Sequence, residues 1–379
     1  MQSRCGRDAP PCAFLYAFPP ISFAYFSSSF LSCVFKFLIA KTVLISIRYA
    51  GMNDKVYPLT FKPVYKSALW GGTTIAERFR RADAPACCSE SWEVSAHPDG
   101  MGVVEQGAWA GKTLAEVVAA EGTRILGTLC EGRRFPLLIK LIDARERLSV
   151  QVHPDDETAE KFGGEAKTEM WYILEAKPKA EICAGLLPIV KGPRQFHDAV
   201  VAKTVGRLLR MIPSVKGKSL FVPGGLVHAV CEGNLIFEVQ QSSNTTYRVY
   251  DWGHLDTDGR MRETHVQKAM EVINWRAPEM DLLTPVPMTA AGEGNRRYRM
   301  LRSDYFTLDA LNLSQPEKVE LDGSTFHALF VEEGTATLQW QNGEIMLPLG
   351  KSCLIPAGMG SYTLAPSGEK GARVLTVSI

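Results

Sequence analysis

Residues 217–228 read "GKSLFVPGGLVH" and residues 350–361 read "GKSCLIPAGMGS". Both have the form G-x5-P-x-G-x2 followed by a polar residue, which is His228 in the first and Ser361 in the second. Glycine and proline at these offsets shape a tight turn between strands, and the last position points into the interior beyond it. Agreement at three spaced positions, with a shared Lys-Ser at the start, argues against chance. The chain is therefore expected to hold two related β units, of which only the first keeps its histidine.

The texture around the two copies supports this. After Met52 the sequence consists mostly of short apolar runs separated by Gly, Pro, Asn and Asp, the pattern of an antiparallel β protein. Strands are expected in "RFPLLIKLIDA", "LSVQVH", "EMWYILEA", "KSLFVPGG", "LIFEVQQ", "YRVYDW", "FHALFVEEG", "TATLQWQ" and "SCLIPAG". Helices are expected at 112–122, where Leu114, Val117 and Val118 share a face before Gly122, and at 155–164, 193–212 and 263–275. The stretch 276–298 is rich in Pro, Gly and small residues and reads as a linker. The fold class is thus mainly β, with a few inserted α-helices. A first domain is expected over 52–285 and a second, metal-free β domain over 286–379.

Composition excludes several function classes. Hydrophobic residues make up 46% and charged residues 22%, as in soluble globular proteins, and the net charge of +1 suggests neither nucleic acid nor an acidic membrane as partner. Nine cysteines without any C-x-x-C pair suit neither a disulfide framework nor a zinc knuckle, and fit a reducing compartment such as the cytoplasm. There is no G-x-G-x-x-G or Walker sequence to cradle a nucleotide phosphate. Residues 1–51 differ from the rest, with no charge from Ala13 to Phe35. Pro19-Pro20 and Ser27–Ser29 interrupt the stretch, and Met52 opens a soluble-protein pattern. A mistaken start site is the expectation, with a signal or anchor as the alternative.

Chemistry concentrates in "LSVQVHPDD" (148–156). Side chains alternate along a strand, so Gln151 and His153 share a face and need a partner there if that face is dry. A metal is one such partner and a hydrogen-bond network is the other. Glu169 leads the apolar run "EMWYIL", where a carboxylate is costly unless it is paired or bound to a cation. Asp155 and Asp156 read as helix-capping residues. Glu238 reads equally as an inward acid or an outward strand residue. His97, His197, His254, His265 and His327 lack a motif partner and read as surface or core.

The repeated motif resembles the second signature of the cupin superfamily of small jelly-roll barrels, whose histidine is a metal ligand. The segments "FPLLIKLIDARERLSVQVHPDD", "KTEMWYIL", "FVPGGLVHAV" and "FEVQQSSNTTYRVYDWG", with "KPVYKSALWGG" and "SESWEVSAHPDG", resemble the class I mannose-6-phosphate isomerases in their short bacterial form. The resemblance implies two cupin-like barrels, interconversion of mannose 6-phosphate and fructose 6-phosphate through an enediol, and one zinc ion per chain. It implies His153, Glu169 and His228 as metal ligands, with Gln151 matching a ligand of the longer relatives. It places Arg248 on the active-site arginine and Lys167 on a lysine serving as base or phosphate contact. Asn244 departs from the pattern, since relatives often carry aspartate there. A small sugar phosphate is the implied partner, without nucleic acid or membrane. The alternatives are another metal-dependent cupin enzyme, such as an iron oxygenase, or a non-catalytic sugar-phosphate-binding protein.

Overall fold

The structure, a computed structural model, describes residues 48–49, 56–255, 258–289 and 293–379. The expectation for the 1–51 leader falls outside the described residues, apart from Arg48–Tyr49, whose backbone pairs with Glu344 and Gly343. Ser46–Ile379 forms one compact unit. It is mainly β, and its strands make four open sheets in two facing pairs.

In the first pair, one sheet runs Ser219–Val222, Glu169–Ala176, Asn234–Gln241, Leu137–Ala144, Val64–Gly72 and Cys88–Ser95. The sheet facing it runs Leu209–Pro213, Glu181–Leu186, His228–Val230, Val150–Val152 and Tyr247–Tyr250. Ile142, Trp171, Ile173 and Ile236 from the one meet Ile182, Ala184 and Val230 from the other in a buried core. In the second pair the order Ser352–Ile355, His327–Glu333, Ala372–Ser378, Thr307–Leu313, Arg296–Arg302 repeats that of the first sheet. Gly343–Leu347, Ala336–Trp340, Ser361–Pro366 and Glu317–Glu320 repeat the second. The sequence repeat therefore marks a structural one. Gly217 and Gly350 both take positive φ, 83° and 76°, at the turn entering the repeated strand, a conformation that glycine adopts without a Cβ penalty. His228 and Ser361 both open the next strand.

The two units share one hydrophobic core. Alternation sends Glu169, Trp171 and Ile173 inward and Met170, Tyr172 and Leu174 outward, where they join Phe237, Phe326, Phe330 and Leu375. Phe135 packs on Phe326 and Phe237 on Phe330, each with ring centroids 5.1 Å apart. Truncating one such buried phenylalanine to alanine costs about 3–5 kcal/mol. The N-terminal strand Leu59–Lys62 crosses over as well, pairing Leu59 with Leu354 of the second unit. Leu283 bridges to Ser219, and Val286–Met288 then pairs with the strand Arg296–Arg302, so the Pro/Gly-rich stretch 276–298 contains a hairpin.

The helices follow their local signals. Leu114–Glu121 is closed by a Thr113–Glu116 capping box and buries Leu114, Val117 and Val118. Asp155 caps Asp156–Phe162 through Thr158. The helix expected over 193–212 is shorter. It spans Pro193–Val201, and Leu209–Pro213 is a strand paired with Glu181–Leu186. Here an open sheet edge overrode the periodicity, since strand pairing satisfies backbone groups that a lone surface helix leaves marginal. Val266–Val272 is the helix expected within 263–275, and Thr74–Phe79 and Thr123–Leu126 are two short helices beyond those expected. Among the described residues no helix is long and apolar enough to cross a membrane.

Candidate metal centre and active site

Three strands and the turn after one of them deliver the ligand set. Val222 pairs with Glu169, which places the carboxylate at the mouth end of its strand. His228 pairs with Gln151, so the two face the same interior, and His153 follows two residues on. His153, Glu169 and His228 are each at most 1% exposed. Their ligand atoms lie within 4.8 Å of one another, and no other such His/Cys/Asp/Glu group occurs among the described residues.

The geometry fits a divalent ion. His228 Nε2 lies 3.1 Å from His153 Nε2 and 3.4 Å from Glu169 Oε1, and His153 Nε2 lies 3.5 Å from Glu169 Oε2. Ligands about 2.1 Å from a tetrahedral zinc are about 3.4 Å apart. The protonation states fit too. His228 Nδ1 is 2.8 Å from the Leu226 carbonyl, which can only accept, so Nδ1 carries the proton and the Nε2 lone pair points to the centre. Burial lowers His228 to about 4, and burial, with the Lys167 charge next, holds His153 well below the usual histidine range. Both are neutral at pH 7, as ligands must be. Neither Glu169 oxygen has a hydrogen-bond partner, although Lys167 Nζ forms an ion pair at 2.9 Å. A carboxylate this buried, held by one ammonium and beside two neutral histidine nitrogens, suits a divalent cation.

Gln151 and Lys167 complete the cluster. The Gln151 amide nitrogen, rather than its oxygen, sits 3.2 Å from His228 Nε2, so ligation by its oxygen requires the amide to turn over. Lys167 Nζ lies 3.0 Å from His153 Nε2. Arg248 is the cross-strand partner of Gln151 and so stands in the same row as Gln151 and His228. Its guanidinium bonds the Glu263 carbonyl at 2.8 Å, outside the cluster, and its buried Nε has no partner. Burial, then the nearby Arg262, lowers its pKa, so an anion at this position is favoured.

A chain of charges continues inward from Lys167. Glu238 Oε1 lies 4.0 Å from Lys167 and 3.2 Å from Lys140, and Glu238 Oε2 accepts from the Trp171 indole at 3.1 Å. Lys140 reaches Glu90 at 3.2 Å, and Glu90 accepts from the Trp92 indole at 2.8 Å. Burial, with the charge of Glu169 next, raises the Glu238 carboxyl. Burial opposes the Lys140 charge, but Glu238 and Glu90 outweigh it and hold Lys140 above its ordinary value. Glu238 thus points inward. Lys140 and Glu90 escaped the reading of the sequence, although a lysine inside "LLIKLIDA", on the face of Leu138 and Ile142, was the signal.

The remaining histidines divide. His197 is exposed on its helix and His254 lies 3.8 Å from Glu146. His265 Nδ1 accepts from the Arg248 backbone, and His327 meets the Tyr362 hydroxyl at 2.8 Å. His97 is buried beside Glu165, at the rim of the site.

A two-sheet β unit with an inward His/Glu/His cluster on this motif is a cupin with a candidate metal site. Residues 59–189 match the family profile "Phosphomannose isomerase type I, catalytic domain", and residues 298–371 match "Mannose-6-phosphate isomerase, cupin domain". Mannose-6-phosphate isomerase ManA of Bacillus subtilis is 36% identical over 326 residues, covering 82% of this chain and 97% of its own length. Mannose-6-phosphate isomerase of Streptococcus mutans is 34% identical over 264 residues, covering 69% and 81%. The crystal structure of the mannose 6-phosphate isomerase from Bacillus subtilis superposes with a TM-score of 0.76 at 32% identity, covering 85% of this chain and 99% of that one. The chain belongs to the type I mannose-6-phosphate isomerase family, enzymes of aldose–ketose isomerisation.

Proposed function

We propose that the chain interconverts mannose 6-phosphate and fructose 6-phosphate at the His153/Glu169/His228 cluster, with one zinc ion per chain. The observation that carries this reading is the convergence of two buried histidine Nε2 atoms on a buried carboxylate whose one charged partner is Lys167. Two nitrogens and one oxygen suit zinc, and Gln151 is the candidate fourth ligand. When bound, zinc supplies a Lewis acid for the sugar oxygens.

The chain's own residues do the rest. Isomerisation removes the proton from C2 of the aldose and returns one to C1, while the hydroxyl proton passes from O2 to O1. Negative charge develops on the enediol oxygens between these steps. Glu238, whose carboxyl is raised by burial and by the charge of Glu169, stands 4.0 Å from Lys167 and helps to fix that ammonium. Lys167 orients and neutralises an oxygen beside Glu169. Arg248 offers an unpartnered Nε and a planar fork to an oxyanion or to the substrate phosphate. The substrate is thus a small sugar phosphate, and five buried free thiols among the described residues support a reducing, cytoplasmic setting. A division of the chain near residue 285, with the metal in the first part alone, belongs to the same reading.

The test is a coupled assay following mannose 6-phosphate to fructose 6-phosphate with and without chelator. Turnover lost on chelation and restored by zinc supports the reading. Turnover unaffected by complete metal removal overturns it.

A further inference from the structure

His97, Glu165, Asn244 and Asp99 form a knot at the rim that ties together the two segments bearing Lys167 and Arg248. His97 Nδ1 accepts from the Asp99 backbone at 3.2 Å, so its Nε2 carries the proton and donates to Glu165, whose oxygens lie 3.1 and 3.2 Å away. Glu165 engages the 243–245 segment with every polar group it has. Its amide donates to Thr245 Oγ1 at 2.9 Å, its carbonyl accepts from Ser243 Oγ at 3.1 Å, and its carboxylate accepts from the Asn244 amide at 2.9 Å. The Asn244 side chain then donates to Asp99 at 2.7 Å, which closes the loop back to His97. Lys167 lies two residues beyond Glu165, and Arg248 three beyond Thr245.

The approach is close. Gly164, at φ 97°, leaves no room for a side chain, since a Cβ there would stand 2.7 Å from the Tyr247 hydroxyl. The 163–167 segment follows a helix, Asp156–Phe162, that buries none of its residues, and its ends are held by the Tyr247 hydroxyl on the Gly163 carbonyl and the Lys167 amide on the Pro154 carbonyl, each at 2.9 Å. His97, by contrast, is buried and packs edge-on against Trp92, with ring centroids 6.0 Å apart. The knot thus ties the middle of that segment, at Glu165, to a fixed post.

We propose that Glu165 and His97 are positioning residues for turnover. Their hydrogen bond sets the spacing between Lys167 and Arg248 across the substrate, and Asn244 serves as a hydrogen-bonding link in that clasp, where a charge would meet Asp99 and Glu165 with repulsion. This inference rests on the roles of Lys167 and Arg248 given above. It predicts that breaking the clasp harms the chemical step and spares the metal.

The experiment compares Glu165→Ala, His97→Ala, the double variant and Glu165→Gln in the zinc-loaded enzyme. Each single alanine variant lowers kcat about tenfold or more, as expected for a small misplacement of reacting groups. KM for mannose 6-phosphate and zinc content stay near wild type. The double variant is no slower than the slower single one, because both cut one link. Glu165→Gln, which keeps an acceptor oxygen at a half-exposed position, recovers most of the rate. Wild-type kcat in Glu165→Ala, losses that multiply in the double variant, or loss of zinc would each overturn the inference. Lys167→Met measured alongside separates the two levels: normal turnover in that variant refutes the roles at the centre, and not merely the clasp.

Discussion

The two β units share a strand order and a turn motif, yet only one gathers ligands, and the register shows position by position why. Glu169, opposite Val222, corresponds to His327, opposite Ile355. Gln151, opposite His228, corresponds to Glu320, opposite Ser361. Two residues further, His153 corresponds to Asp322. The second unit thus carries potential ligands at several of the same places. They do not converge: Glu320 is 68% exposed and paired with Lys318, Asp322 caps Ser324, and His327 bonds Tyr362. Ligand-type residues at homologous positions become a site only when the backbone between them turns them inward.

The insertions teach the same lesson. Residues 153–168 separate the Gln151 and Glu169 strands and supply His153 and Lys167, while residues 321–326 alone join their counterparts. The strand Tyr247–Tyr250, bearing Arg248, extends the first unit's smaller sheet and, among the described residues, has no counterpart beside Glu317–Glu320. The second unit contributes instead a hydrophobic wall, Phe326, Phe330 and Leu375, against the back of the Glu169 strand.

The contrast can be broken at its strongest point first. Glu169→Gln keeps size and one oxygen but removes the charge that neutralises the ion. It should lose zinc on dialysis and at least about 10³-fold in turnover, with partial recovery in excess metal. His327→Gln, at the corresponding position, should keep both. Elemental analysis with the coupled assay reads the difference. A zinc deficit in His327→Gln would erase the distinction between the units.

A smaller loss is expected from the strand that only the first unit has. Arg248→Lys keeps a positive charge but lacks the planar fork, so turnover should fall about 10²-fold with zinc retained and no rescue by added metal. Near wild-type turnover, or zinc loss, would remove Arg248 from the assigned role.

Acid should expose a likeness between the units. Burial lowers both His228 and His327 to about 4. In the unfolded chain each titrates near 6.5, so between these values the unfolded state binds more protons. The stability of the chelated protein should therefore be full above about pH 6.5 and decline toward pH 4, by at most about 3 kcal/mol per histidine. Urea titrations across that range should show a shallower pH dependence for His327→Gln. An unchanged slope would mean that His327 titrates alike in both states.

The smallest effect is expected at Ser361. Ser361→Ala should leave about one zinc per chain and normal turnover, because a serine hydroxyl is a poor zinc ligand. A metal ion lost with that change would point to a second site.

Much of this was legible in the residues. Turn glycines and prolines at fixed offsets announced the repeat, and period-two alternation announced the strands, because both arise from local backbone sterics. Gln151, His153, Glu169 and His228 stood out as polar groups in apolar runs. Lys140, Glu90 and the inward side of Glu238 were hidden, since their pairing is made across strands far apart in sequence. The Leu209–Pro213 strand was hidden for a related reason, because its partner Glu181–Leu186 lies beyond the reach of a periodicity window. His97 looked idle for want of a motif, and its partner Glu165 is 68 residues away.

The most direct test of the account is zinc stoichiometry measured together with turnover in His228→Ala and in the unmodified chain. The account predicts one zinc per chain in the unmodified protein, and loss of both zinc and mannose 6-phosphate isomerisation in the variant. Retention of one tightly bound zinc in His228→Ala, or isomerisation that persists without the metal, would contradict it.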